Sequence, residues 1–172
     1  NFLKAGIGYG GSCFPKDTKA LKYLAKKNGY CLKTVEAAID VNTTQKVRLF
    51  EKAKERMITF SGLRVAVLGL TFKPKTDDLR EAPSLINVEL LLKQGAEIIA
   101  YDPVGIKNFK KNFPEGNIFD GKISYVDNPD SALADADVCF IFTEWDEIKA
   151  ITPLQYKKMM RIPLVYDGRN IY

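Results

Sequence analysis

The sequence has 172 residues, of which 46% are hydrophobic and 27% are charged, with 26 Lys and Arg against 21 Asp and Glu. Such a composition is typical of a globular protein with one domain or slightly more, and no run of about 18 apolar residues predicts a membrane span. The positive excess is small and spread along the chain. It argues against a nucleic-acid-binding face and suits a site for an anionic small molecule.

The cysteine and histidine content limits the kinds of catalytic and metal sites that the chain can hold. Three cysteines make an odd count, which favours a reducing compartment such as the cytoplasm over a disulfide scaffold. The sequence has no histidine, which excludes Ser-His-Asp and Cys-His nucleophile pairs within it and removes the commonest zinc ligand. We therefore predict no metal site, and a general base must be Asp, Glu, Lys or a bound water.

Residues 1–60 have a helical pattern. Leu21 and Leu24 fall on one face of a predicted helix over 17–27, and a longer helix is predicted over 32–57. The apolar stripe of the longer helix comprises Val35, Ala38, Ile39, Leu49, Phe50, Ala53 and Met57. A helix of this length predicts packing on a second subunit, as in a homodimer, or on another part of the protein.

Residues 61–172 alternate between strands and helices. Predicted strands cover 64–70, 97–101, 123–126, 137–143 and 164–166. Predicted helices cover 84–93, 131–134 and 153–160. This alternation predicts an α/β fold with a Rossmann-like parallel sheet covered by helices on both faces. Ligands of such sheets bind at the carboxyl ends of the strands.

The loop after the first predicted strand gives mixed signals. A dinucleotide site needs G-x-G-x-x-G there, but only Gly69 is present, so this half of the chain does not predict an NAD site. Lys73 either faces solvent or clamps phosphates together with Arg80. Asp77 and Asp78 are candidate caps of the helix that follows.

Asp102 follows the second predicted strand, where a dinucleotide-binding fold carries its ribose-binding acid. The glycine fingerprint that should accompany such an acid is missing. We therefore interpret Asp102 as the first residue of an Asp-Pro turn, with a structural role.

Cys13 lies in the glycine-rich stretch GIGYGGSCFPKD. The glycines let a substrate approach the backbone closely, and a helix N-terminus with Lys16 nearby favours the reactive thiolate. Asp17 can reach a water beside the thiol if the intervening chain turns. Cys13 is therefore the candidate nucleophile. Cys139 lies in an apolar strand and is predicted to be a core residue. Cys31 has no activating neighbour in sequence beyond Lys33.

Three motifs, in this order, carry a family resemblance: GIGYGGSCFPKDTKAL, GLTFKPKTDDLREAPS and DGRNIY. They resemble the UDP-glucose 6-dehydrogenase family and, more widely, the nucleotide-sugar dehydrogenases that oxidise a hexose C6 alcohol to a carboxylate. The GYGGSCFPKD form and the DGRN ending favour UDP-glucose as substrate. A GDP-mannose or other nucleotide-sugar dehydrogenase is one alternative, and a non-catalytic nucleotide-sugar-binding module is another.

The resemblance implies a mechanism and a set of roles. Two successive oxidations by NAD convert the alcohol to the acid through a thiohemiacetal and then a thioester on Cys13, which water hydrolyses. Asp17 would orient or activate water, and Lys16 and Arg80 would contact the cofactor. Substrate contacts are implied for Phe2, Leu3, Lys4, Ala5, Gly6, Gly10, Lys73 and Arg169.

The resemblance also implies an organisation. Residues 1–60 would form the end of a central helical dimerisation domain, and residues 61–172 a UDP-sugar-binding domain. The sequence would then be a C-terminal fragment without the N-terminal NAD-binding domain, and inactive alone.

Overall fold

The computed structural model describes residues 5–172. Two helices come first, α1 (Cys13–Lys27) and α2 (Lys33–Lys54), and an α/β region follows them. Among the described residues, no helix is both long and apolar enough to pass through a lipid bilayer.

Six strands and five further helices make up the α/β region. The strands are β1 (Arg64–Leu68), β2 (Glu97–Tyr101), β3 (Gly116–Ile118), β4 (Gly121–Tyr125), β5 (Val138–Ile141) and β6 (Val165–Asp167). The helices are α3 (Pro83–Lys93), α4 (Ile106–Phe109), α5 (Pro129–Leu133), α6 (Asp146–Lys149) and α7 (Pro153–Met159).

The strands form one sheet in the order β3-β4-β2-β1-β5-β6. All neighbours are parallel except β3 and β4, which form an antiparallel hairpin. β1 lies centrally, with Val65 opposite Ile98 of β2 and Val138 of β5. The predicted α/β fold with a mostly parallel sheet is confirmed. The parallel pairing brings the carboxyl ends of β1, β5 and β6 to one edge.

The hairpin strand β3 and the short helices α4 and α6 were not predicted. β3 has only three residues, so alternation of apolar side chains cannot reveal it. β3 is joined to β4 by a two-residue turn between Ile118 and Gly121, which pair with each other. Within this turn, Phe119 has a left-handed φ of 55°. Such turns match the twist of the flanking strands.

The core has two layers, one on each face of the sheet. In β1, Val65 and Val67 face the layer that also holds Phe50 of α2, whereas Ala66 and Leu68 face the other layer. This alternation follows from the period of two along a strand. Cys139 is fully buried in the second layer, as predicted, and burial raises the pKa of its thiol.

The two long helices differ in detail from their predictions. α1 begins at Cys13, four positions before the predicted start, and α2 ends at Lys54 rather than 57. Of the predicted stripe on α2, Phe50 and Ala53 are buried, and both lie in its C-terminal half. The apolar side chains of Leu21 and Leu24 on α1 are exposed. The domain division near residue 60 and the dimer stay predictions.

Candidate active site

The glycine loop comprises residues 5–12. Its first half is held by the end of the last strand and by α2. Ile7 N–H donates to Gly168 O at 2.8 Å, just after β6. Gln45 Nε2 donates to Gly6 O at 2.9 Å. The Asn42 side chain accepts from the backbone N–H of Tyr9 at 2.7 Å and donates to its carbonyl at 3.2 Å. A side-chain amide thus replaces the pairing that a neighbouring strand would give.

The second half of the glycine loop lies directly on the β1–α3 loop, defined as residues 69–82. Gly11 N–H donates to Arg80 O at 2.6 Å. A Cβ on Gly10 would lie 2.6 Å from Glu81 O, and one on Gly11 would lie 2.8 Å from the ring of Phe72. Both positions need glycine because a side chain would separate the two loops.

Cys13 is the first residue of α1 and is exposed. Its Sγ lies 3.8 Å from Ser12 Oγ. The thiol borders an open cleft of about 410 Å³ at the carboxyl edge of the sheet. The cleft is lined by Gly10, Gly11, Ser12, Cys13, Phe14, Phe72, Lys73, Thr76 and Asp78. Three predicted site residues, Gly10, Cys13 and Lys73, therefore meet in one cleft.

Asp17 and Lys16 lie in the first two turns of α1. The chain between Cys13 and Asp17 is helical, so the two residues lie one turn apart on the same side of the helix. Lys16 Nζ lies 3.3 Å from Asp17 Oδ1, and the side chains are 75% and 68% exposed. Both belong to the surface beside the cleft and lie outside its described lining.

Lys73 and Arg80 lie on the β1–α3 loop with different partners. Lys73 Nζ lies over the Phe72 ring, 5.2 Å from its centroid, and its side chain is exposed in the cleft. Arg80 donates to the Asp78 carboxylate from Nε at 2.9 Å and from Nη2 at 2.7 Å. These bonds raise the pKa of Arg80 and lower that of Asp78.

The prediction that Asp77 and Asp78 cap the next helix is wrong. α3 begins at Pro83, with Ala82 at its N-cap and no side-chain cap. Asp78 is engaged by Arg80, and Asp77 Oδ2 accepts from Asn108 Nδ2 at 2.8 Å. The carboxylates order the loop itself instead of the helix.

Arg169 joins three strand ends and is only 15% exposed. Its guanidinium donates to Phe142 O at 2.8 Å and to Phe72 O, and it forms an ion pair with Glu144 at 3.1 Å. Burial lowers the pKa of Arg169. Arg169 lies outside the described lining of the cleft, and its predicted contact with substrate stays a prediction.

The remaining predicted substrate residues lie at the start of the chain. Ala5 and Gly6 line a smaller cavity of about 130 Å³ together with Arg48 and Lys52 of α2. Phe2, Leu3 and Lys4 lie outside the described residues.

Asp102 has the structural role expected from its Asp-Pro turn. Its carboxylate is buried and accepts six hydrogen bonds, five from residues in the loops after β1 and β2 and one from the indole after β5. The donors are the backbone N–H groups of Leu70, Thr71, Val104 and Gly105, the Thr71 hydroxyl and Trp145 Nε1. A carboxylate with this many protein donors has no capacity left for a ribose hydroxyl.

The turn after β1 packs closely against the loop after β5. Gly69 has a φ of 82°, and a Cβ there would lie 2.5 Å from the side chain of Thr143. The Thr143 hydroxyl in turn donates to Thr71 O. The loops after β1 and β5 are thus in close contact at Gly69 and Thr71, and the absence of an NAD site from this sheet stays a prediction.

Three residues at the site were missed in the sequence. Asn42 and Gln45 hold the glycine loop, and Glu81 accepts from Lys19 and Lys46. Polar residues at positions 42, 45 and 46 share one face of α2. This polar face could have indicated contacts with the glycine loop, but only the apolar stripe of the helix was interpreted. Glu81 gave no local signal because its partners are distant in sequence.

The mostly parallel sheet, with an exposed thiol beside its carboxyl edge, defines an α/β fold that carries a candidate nucleophile. The chain belongs to the UDP-glucose/GDP-mannose dehydrogenase family. The UDP binding domain of that family matches residues 66–172, and its central domain matches residues 1–44.

Individual relatives agree with this assignment. UDP-glucose 6-dehydrogenase TuaD of Bacillus subtilis is 42% identical over 99% of this chain and 36% of its own length. The structure of a UDP-glucose dehydrogenase from Pyrobaculum islandicum has a TM-score of 0.86 at 30% identity, over 99% of this chain and 37% of that one. A GDP-mannose dehydrogenase from Pseudomonas aeruginosa has a TM-score of 0.78 at 25% identity, over 99% and 38%. The chain therefore spans little more than a third of each relative.

Proposed function

We propose that this chain belongs to an enzyme that oxidises UDP-glucose to UDP-glucuronate, with Cys13 as the covalent nucleophile. The observation that carries the proposal is the placement of the exposed Cys13 thiol in one cleft with Gly10 and Lys73. Glycine backbone on one wall admits a sugar closely, and an ammonium on the other wall attracts a phosphate. The names of relatives such as TuaD support UDP-glucose as the substrate.

Cys13 would act as a temporary carrier of the C6 carbon. Its thiolate adds to the C6 aldehyde, so a C–S bond forms while the carbonyl π electrons move to oxygen, which takes a proton. Loss of a hydride from C6 to the oxidant, together with the proton of the C6 hydroxyl, converts this thiohemiacetal to a thioester. Water then adds, the C–S bond breaks, and the acid leaves with the thiolate restored. The aldehyde stays bound throughout.

The other side chains of the site would serve this cycle. Asp17, one helical turn beyond Cys13, orients or activates the hydrolytic water. Lys73, Gly10, Gly6, Ala5 and Arg169 bind the nucleotide sugar, together with Phe2, Leu3 and Lys4. NAD, held mainly by a domain outside this chain, supplies the oxidising capacity for both steps, and Lys16 and Arg80 contact it from the rim of the cleft.

A nucleotide-sugar assay with paired cysteine variants tests this proposal. In the full-length protein, Cys13→Ser abolishes NADH formation and acid production from UDP-glucose, whereas Cys31→Ser, a change at the other exposed cysteine, leaves both unchanged. Mass spectrometry of a quenched reaction should find the sugar mass on the Cys13 peptide. Normal acid production by Cys13→Ser would refute the covalent mechanism.

The choice of substrate has its own test. The GDP-mannose dehydrogenase at 25% identity keeps a GDP-mannose enzyme as the second candidate. Comparing the two nucleotide sugars at equal concentration should give faster oxidation of UDP-glucose. Binding of UDP-glucose without turnover in the full-length protein would favour the non-catalytic module.

We also propose a homodimer in the cytoplasm, built through the long helix α2 and its neighbour α1. Leu21 and Leu24 expose apolar surface on α1, and a partner helix would remove that surface from water. Light scattering of the full-length protein should give twice the subunit mass. The Leu21→Glu and Leu24→Glu double variant should shift the mass toward the monomer.

A further inference from the structure

The Glu81 carboxylate connects the β1–α3 loop to both long helices. Oε1 accepts from Lys19 of α1 at 2.7 Å, and Oε2 accepts from Lys46 of α2 at 2.9 Å. The backbone of the same residue supports the glycine loop, because Glu81 O lies where a side chain of Gly10 would be. One residue therefore contacts α1, α2 and the segment immediately before Cys13.

Lys46 extends this connection to the glycine loop. Its side chain is only 12% exposed, and a Cβ on Gly8 would lie 3.4 Å from Lys46 Cγ. The ammonium at the end of this side chain meets Glu81. Removing the carboxylate would leave a largely desolvated cation without that partner, which weakens the connection between α2 and the β1–α3 loop.

The backbone of Glu81 is strained. Its φ of 56° lies in the left-handed region, which costs an L-residue about 1 kcal/mol and suits glycine. The side chain, with its two lysine partners, holds the residue in this conformation. Strain of this kind persists only where the surroundings fix it.

We propose that Glu81 is a positioning residue that fixes the start of α1, and with it the Cys13 thiol, against the loop that carries Lys73. The inference rests on the proposed role of Cys13 as nucleophile. The two halves of the glycine loop have different anchors: Asn42, Gln45 and Gly168 hold the first half, whereas residues 80 and 81 hold the second. Loss of the Glu81 charge therefore displaces the Cys13 thiol more than it displaces Ala5 and Gly6, the predicted sugar contacts.

We expect the loss of Glu81 to lower kcat while KM changes little. A thiol displaced by about 1 Å loses on the order of 100-fold in rate. In the full-length protein, Glu81→Gln should lower kcat about 10- to 100-fold and change KM for UDP-glucose less than about threefold. Glu81→Gly relieves the left-handed backbone but also lacks the carboxylate, so it should show the same split even if Glu81→Gln folds poorly.

Amide hydrogen exchange tests the same inference without activity. Exchange at Gly11 N–H, which bonds to Arg80 O, should accelerate in both Glu81 variants, whereas exchange at Ile7 N–H, which bonds to Gly168 O, should not. Glu89→Gln is the matched control. It removes a carboxylate of equal exposure, 40% against 41% for Glu81, that pairs with Lys93 on the surface of α3, and it should change neither measurement.

The inference fails if the Glu81 variants keep wild-type kcat, or if Gly11 and Ile7 accelerate alike, as in general loosening. A fall in kcat with Glu89→Gln of the same size would also overturn it. The proposed function is decided separately, by turnover of Cys13→Ser. If that variant were active, selective exchange at Gly11 would still establish Glu81 as the anchor of the loop, while its catalytic role would fall.

Discussion

Trp145 Nε1 donates to Asp102 Oδ2 at 3.1 Å, so the indole after β5 completes the set of donors around a carboxylate after β2. The same oxygen accepts from the backbone N–H of Leu70 at 2.7 Å. Three strand ends are thereby joined at the edge of the sheet that carries the cleft. These strand ends thus share a buried polar network, whose members support one another.

We expect Asp102→Asn to destabilise the protein by about 3 kcal/mol or more, because an amide nitrogen would then face backbone donors with no acceptor between them. Urea unfolding measures the loss. Asp120→Asn, at an exposed position in the β3–β4 turn, should change the free energy of unfolding by less than about 0.5 kcal/mol. Equal effects of the two substitutions would contradict the role assigned to the network.

Two glycines should respond differently to alanine. Gly10→Ala places Cβ 2.6 Å from Glu81 O, so the two loops must separate and turnover should fall at least about tenfold. Gly29→Ala meets nothing within 4 Å, and its φ of 71° gives a conformational cost of about 1 kcal/mol, with normal turnover. Steady-state rates and thermal unfolding separate the two. A Gly10→Ala enzyme with full activity would show that the loops need not touch.

Arg169→Lys should destabilise the carboxyl edge by about 2 kcal/mol. A lysine cannot reproduce the planar set of donors that reaches Phe142 O and Phe72 O while pairing with Glu144. Arg56→Lys, at an exposed position, is the control and should be near neutral. Thermal unfolding compares the variants, and calorimetry with UDP tests whether Arg169 also contributes to binding. Unchanged stability in Arg169→Lys would argue for a ligand contact in place of the structural role.

Glu81 should make stability depend on acid pH. Hydrogen bonds from Lys19 and Lys46 lower the pKa of its carboxyl from 4.5 to about 2. The folded-state pKa is depressed, so the stabilisation is present above pH 4.5 and is lost as the pH falls from about 4.5 to 2. Solvent around this partly exposed carboxylate limits the contribution to about 1 kcal/mol.

Urea unfolding of wild type and Glu81→Gln at several pH values checks this dependence. The difference in free energy should be constant near neutral pH and shrink toward zero at pH 2. A difference that grows in acid would have the opposite sign and would contradict the lowered pKa.

Local signals predicted most of the fold. Buried runs such as Arg64–Leu68 and Val138–Ile141 marked parallel strands before the sheet was seen. The start of α1 was placed four positions late, because the proline at position 15 was not taken as a residue of the first helical turn, where proline is well tolerated. β3 was invisible because three residues cannot show a period.

The candidate site was predictable only in part. The thiol and its glycines form one continuous stretch, so the local sequence alone marked them as candidates. Lys73 could be named from a motif, but its meeting with Cys13 depends on the whole sheet. Glu81 lies 62 residues from Lys19 and 35 from Lys46, and no local pattern encodes pairs that far apart.

The hydrogen bond from Asn170 to Ala5 O joins residues 165 positions apart, and Ile7 is tied to Gly168 in the same way. A ribosome therefore releases Cys13 long before it releases the residues that fix the first half of the loop. Until β6 has emerged and paired, the glycine loop that precedes the thiol lacks this anchor. A chain interrupted before residue 165 would carry the cysteine without its completed setting, so the loop before Cys13 is fully anchored only in translation products that reach the last strand.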